Sequence, residues 1–227
     1  MTSRLSLLAV AAMAALCFAT PALASGRSAC GQSGYSYAGV SATRAAHGIG
    51  AVVTMRSRPV VHNGHVAGWV GVGGGGLGPG GTDAWLQVGI SAYPGRAPAL
   101  YVEFARAGET HEYVPLGPAA TGRAYRLAVL ELARRPGWWQ AWLDGRAVAA
   151  PVFLGRGVAS SPVATAESWD DHTPICNRFD FAFSDVRVAG RRGGSWSPLA
   201  RAAVLEDSGY RVVRRSPSAF RALARAA

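Results

Sequence analysis

The sequence predicts an all-β chain built as two stacked antiparallel sheets. Short runs of Val, Leu, Tyr, Phe and Trp recur roughly every 10 to 14 residues along the 227-residue chain. Gly, Pro, Asn-Gly and Asp-Gly punctuate them, and few segments carry a helical period. A dozen or so strands in one unit of this size fit two packed sheets.

In chain order, the first segment is set apart from the fold. Arg4, the apolar stretch from Leu5 to Phe18 and the small-x-small triplet Ala22-Leu23-Ala24 form the pattern of a cleaved export signal over residues 1–24. The apolar run is shorter than the roughly 20 residues that cross a bilayer, so a secreted, extracellular product with no transmembrane segment after cleavage is expected. Residues 25–227 suffice for one large sandwich and are short for two domains, so a single domain acting as a monomer is expected. Cys30 and Cys176 survive cleavage, and in an oxidising compartment they pair most simply as one disulfide. Closing that loop is worth on the order of 4 to 5 kcal/mol in the chain-entropy account.

Strands are expected at 36–42, 50–57, 60–62, 65–72, 84–91, 99–106 and 110–115, and then at 124–132, 138–143, 146–154, 163–169, 178–188, 202–206 and 210–214. Asn63-Gly64 takes positive φ readily and predicts a two-residue hairpin between Val60-Val61-His62 and His65-Val66-Ala67. Asp144-Gly145 predicts another, between 138–143 and 146–154. Gly71 to Gly81 reads as a mobile loop joining two strands and able to overhang a groove; it lacks the Gly-Lys-Ser/Thr ending of a phosphate loop. In Phe179-Asp180-Phe181-Ala182-Phe183 the rings share one face, whereas Val186 and Val188 fall on the other parity, so a bulge near Ser184-Asp185 is expected.

The net charge is +10, and all 23 basic residues are arginine. Most are scattered singly, and no aromatic-interleaved basic motif points to specific nucleic-acid recognition. Arginines concentrate in a C-terminal hairpin and tail over 190–227, where Arg191, Arg192, Arg201, Arg211, Arg214, Arg215, Arg221 and Arg225 face only Glu206 and Asp207. Such a segment suits adhesion to an anionic cell-wall polymer or membrane surface.

Three segments set polar groups on one strand face. Period two puts Trp85, Gln87 and Gly89 opposite the core-type Leu86, Val88 and Ile90, with Gly89 leaving room for a ligand. It puts Tyr101 and Glu103 opposite Val102 and Phe104, and gives Glu167, Trp169 and Asp171 one parity. A neutral amide beside a carboxylate can polarise a carbonyl while the carboxylate activates water; the wet side of a sheet accounts for the same pattern without chemistry. His62 and His65 flank a turn and lack a third ligand nearby, so they read as exposed hairpin histidines, and no metal or cofactor is expected.

Trp69-Val70-Gly71, Leu86-Gln87-Val88-Gly89, Tyr101-Val102-Glu103-Phe104 and Ala166-Glu167 with its following acids occur in an order and spacing that resemble the eqolisin, or glutamic, peptidases. Val204-Leu205-Glu206-Asp207-Ser208-Gly209, Ser216-Pro217-Ser218 and Phe220 are similar to that family's closing hairpin. The resemblance implies a concanavalin A-like jelly roll and hydrolysis of a peptide or protein substrate. Gln87 would stabilise the oxyanion, and an acid would serve as general base and then general acid. Trp69 and Glu103 would line the substrate site, with Trp85 and Tyr101 beside them.

The family's catalytic Glu falls at Asp171, a shorter acid, with Glu167 four residues earlier; its usual acid after Trp-Val-Gly is replaced by Gly73. Two alternatives stand beside this reading. One is a catalytically silent sandwich binding peptide or glycan at the cell surface through Trp69, Trp85, Tyr101, Trp138 and Trp142. The other is a glycoside hydrolase using Glu103 and Glu167.

Overall fold

The computed structural model describes residues 34–170, 173 and 175–224. These form fifteen strands: β1 (Tyr35–Ala42), β2 (Gly48–Met55), β3 (His65–Gly74), β4 (Ala84–Ala92), β5 (Ala99–Ala105), β6 (Glu112–Pro118), β7 (Ala124–Glu131), β8 (Trp138–Leu143), β9 (Arg146–Phe153), β10 (Val163–Trp169), β11 (Asp180–Ala189), β12 (Trp196–Pro198), β13 (Ala202–Glu206), β14 (Tyr210–Ser216) and β15 (Ala219–Ala224). The only helical turns among the described residues are two short 3₁₀ pieces, Pro79–Gly81 and Gly157–Ser160.

Two antiparallel sheets make a sandwich. One runs β13-β1-β10-β3-β4-β5-β6; the other runs β14-β15-β11-β2-β7-β8-β9, with β12 added on β11. Alternation decides which side chains meet between them. Val66, Val70 and Val72 of β3 and Leu86, Val88 and Ile90 of β4 are buried and face Ile49, Val53 and Met55 of β2, Leu127 and Val129 of β7, and Phe181 and Phe183 of β11. At the centre Gly68 admits the Phe181 ring from the opposite sheet; a Cβ there would lie 2.6 Å from it. Burying such side chains from water is the main favourable term holding the layers together.

The Asp144-Gly145 hairpin forms as its sequence predicts. Asp144 has φ 50° and Gly145 φ 79°, and Leu143 pairs with Arg146. The bulge in β11 is also present: pairing with β2 slips between Ser184 and Arg187, Asp185 has φ 51°, and Val186 turns into the core.

The Asn63-Gly64 hairpin does not form. β3 is an inner strand, hydrogen-bonded to β10 on one side and β4 on the other, so no edge is free for 60–62. Val60 instead bridges Arg178, and the Asn177 side chain gathers the turn, accepting from His62 N at 2.8 Å and donating to Asn63 O at 2.8 Å.

The Arg-rich C-terminal segment is part of the sandwich. β13 pairs with β1 in the first sheet and β14 with β15 in the second, so their hairpin ties both layers together. Phe220 stacks on Phe183 with centroids 4.6 Å apart, and Arg221 is held by both oxygens of Asp180. Arg201, Arg211, Arg214 and Arg215 remain exposed.

Candidate active site

The outward face of β10, β3, β4 and β5 carries the candidate site. Gln87 on β4 lies directly opposite Glu103 on β5 and Gly71 on β3. Gln87 is buried, and its Nε2 donates to Tyr101 Oη at 3.0 Å and to Glu103 Oε2 at 3.2 Å. Tyr101 is fixed beneath it by stacking on Tyr113 at 5.1 Å, and Tyr113 shares a 2.8 Å hydrogen bond with Ser91. Burial, reinforced by the charges of Glu167 and Glu103, raises the Tyr101 phenol well above its ordinary pKa, so it acts as a neutral hydroxyl.

Two glycines shape this face. At Gly71 a Cβ would press on Leu86 O at 2.8 Å and Gln87 Cβ at 3.0 Å. Gly89 differs from its expected role of leaving room for a ligand. Trp69 and Tyr101 already occupy that space, since a Cβ would lie 2.6 Å from Trp69 Cβ and 3.0 Å from the Tyr101 ring.

Glu167 sits on β10 between Ala67 of β3 and Tyr37 of β1 and is buried. Its Oε1 lies 3.3 Å from His65 Nε2. Gln87, Glu103, Glu167, Trp69 and Trp85 line one groove of about 420 Å³, closed at its sides by Tyr35, Tyr37, Leu205 and the Gly73–Gly75 segment. Burial raises the Glu103 pKa, and the nearby Glu167 charge adds to this; His111, His65 and the Gln87 amide pull the other way and do not cancel it. Burial and then Glu167 likewise push up the pKa of Tyr35 and Tyr37.

The expected site residues therefore separate. Gln87, Glu167, Trp69, Trp85 and Glu103 share the groove. Tyr101 is fully buried and holds Gln87, so it offers no ring to a ligand. Trp138 and Trp142 lie on β8 of the other sheet and cannot join a stacking surface with Trp69; Trp142 lines a separate hollow with Trp196, Arg126 and Arg187. Asp171 and Cys30 lie outside the described residues, while Cys176 is not a free thiol.

His65 is not an exposed hairpin residue. It starts β3, its side chain is 18% exposed, and it faces Glu167. Its parity with Ala67 and Trp69 is the sequence signal that places it on this face. Among the described residues no three His, Cys, Asp or Glu side chains gather into a metal site.

Solved structures share this architecture. Scytalido-glutamic peptidase with a peptide-based transition state analog superposes with a TM-score of 0.59 at 13% identity, covering 84% of this chain and 98% of that one. The same peptidase with a transition state analog inhibitor gives 0.57 at 14% identity, with the same coverage. SCP-B, a member of the eqolisin family in complex with the tripeptide Ala-Ile-His, gives 0.56 at 14% identity. This chain has their fold. No family model and no curated protein matches the sequence. The sandwich carries the groove on its seven-stranded sheet, with Gln87 and two carboxylates on the outward face of that sheet.

Proposed function

We propose that the protein is an exported acid endopeptidase of the eqolisin type, acting on an extended peptide laid across the seven-stranded sheet. The observation that carries this reading is the meeting of the Gln87 amide with the Glu103 and Glu167 carboxylates in one groove. An ionised groove carboxylate takes a proton from water as the water oxygen bonds to the scissile carbonyl carbon. The Gln87 amide donates to the oxyanion that forms. When the C–N bond breaks, the carboxyl proton passes to the leaving nitrogen and the carboxylate is restored. Glu167 is the described carboxylate suited to this role, and Asp171 is the position the family resemblance favours.

Export with removal of residues 1–24, a Cys30–Cys176 disulfide and monomeric action complete the proposal. The exposed arginines of β14 and its surroundings suit adhesion to anionic cell-wall polymer.

Digestion of a peptide library between about pH 2 and 7 by the mature protein and by Gln87→Ala, Glu167→Ala and Asp171→Ala tests this. Cleavage lost in Gln87→Ala and in one acid variant supports the pair and names its acid. Cleavage unchanged in all three rejects it. A parent protein that binds peptides without cutting them supports the silent binding module, a reading favoured by one observation: both contacts of the Gln87 amide nitrogen are made within the protein.

A further inference from the structure

We infer that protonation of Glu103 reverses the Gln87 side-chain amide and so turns its N–H groups into the groove. This rests on the peptidase reading for its consequence, though not for its physics. A primary amide has two N–H donors. Both are used inside the protein, one on Tyr101 Oη at 3.0 Å and one on Glu103 Oε2 at 3.2 Å. With Glu103 ionised, the groove therefore meets the acceptor end of Gln87, which repels a substrate carbonyl.

The two partners do not respond alike to a half-turn of the amide. Tyr101 carries a hydroxyl that donates or accepts, so it serves either end of Gln87. An ionised Glu103 accepts only, and would set oxygen against oxygen if the amide turned. A protonated Glu103 donates one O–H. Gln87 Oε1 then accepts from both Tyr101 and Glu103, and the amide nitrogen is released to the groove with two free donors. The orientation of the amide thus reports the charge of Glu103, with no backbone movement.

The surroundings set where this happens. Glu167 on β10 faces Glu103 with like charge, while His65 on β3 and His111 beside β6 oppose it. The phenols of Tyr35 and Tyr37 on β1, Tyr93 after β4, Tyr101 on β5 and Tyr113 on β6 each feel the Glu103 charge and are themselves raised in pKa, so they stay neutral near it. With burial added, the balance puts Glu103 above its ordinary 4.5.

The chain has three glutamines, Gln32, Gln87 and Gln140, so the Gln87 side-chain amide is assigned in ¹⁵N spectra by its loss in Gln87→Ala. Its two N–H signals, followed from about pH 3 to 8, are expected to titrate together with the Glu103 carboxyl carbon, with a midpoint above the free-glutamate value. In Glu103→Gln this titration disappears, and in Glu103→Asp it moves to a new midpoint. Gln87 signals that stay fixed while Glu103 titrates, or that still titrate in Glu103→Gln, overturn the inference. These readings need no activity, so they stand apart from the failure of the peptidase proposal, which shows as absent cleavage at every pH. If both hold, Glu103→Gln cleaves at higher pH than the parent.

Discussion

Gly73 and Ser161 hold each other by a reciprocal pair of hydrogen bonds. Gly73 N donates to Ser161 Oγ at 3.2 Å, and Ser161 Oγ donates to Gly73 O at 2.8 Å. The contact ties the end of β3 to the loop entering β10 at one wall of the groove. Gly73 has φ 94°, and a Cβ there would lie 2.1 Å from Ala84 O. The acid that the eqolisin pattern places here is therefore excluded by backbone shape. Gly73→Asp is expected to cost about 1–3 kcal/mol and to lower Tm without raising activity, read by thermal unfolding beside a cleavage assay.

Glu103 links stability to pH. Its folded pKa is raised, so the folded state binds its proton more tightly than the unfolded chain does. That contribution is complete below the unfolded value and is lost as pH rises through the folded one. Glu103→Gln stays neutral, and is expected to melt at a higher temperature than the parent near pH 7 and at about the same temperature near pH 3. Calorimetry at the two pH values checks the difference.

His65 lowers the Glu103 pKa from across β4. Removing that influence favours the protonated acid, so His65→Ala is expected to move the Glu103 midpoint upward in a carboxyl ¹³C titration. A downward shift or none would show that His65 acts on Glu167 alone.

Glu131 supplies a contrast far from the groove. Its buried carboxylate accepts from Gly137 N at 2.6 Å and meets His47 Nδ1 at 2.6 Å, pinning the β7–β8 turn to the start of β2. Glu131→Ala orphans the Gly137 N–H and is expected to cost about 1–3 kcal/mol. Peptide cleavage or binding per folded molecule should stay within about twofold of the parent.

Strand placement was legible because burial imposes period two: Leu86, Val88 and Ile90 had to face inward, which turned Gln87 outward. Pairing was less legible. Nothing local to Asn63-Gly64 reveals that β10 and β4 occupy both edges of β3. Glu103 reads as a lining residue in sequence, and only the β4–β5 register sets it against Gln87. Tyr101 shares Glu103's parity, yet the missing Cβ of Gly89 lets its ring sink against the sheet. β12 and β15 escaped notice because three residues, or an alanine-rich Ala219–Ala224, carry little apolar alternation.

The β13–β14 hairpin has a consequence for the order of folding. β1 pairs with β13 across more than 150 residues of chain, and Leu205 of β13 forms part of the groove wall. A chain emerging from its N-terminus thus lays down β4 and β5, with Gln87 and Glu103, long before the strand that closes the wall beside them. Such long-range pairing is slow to form. The groove wall is complete only when β13 is in place, so any hydrolysis it performs begins only after residues 202–206 have been made.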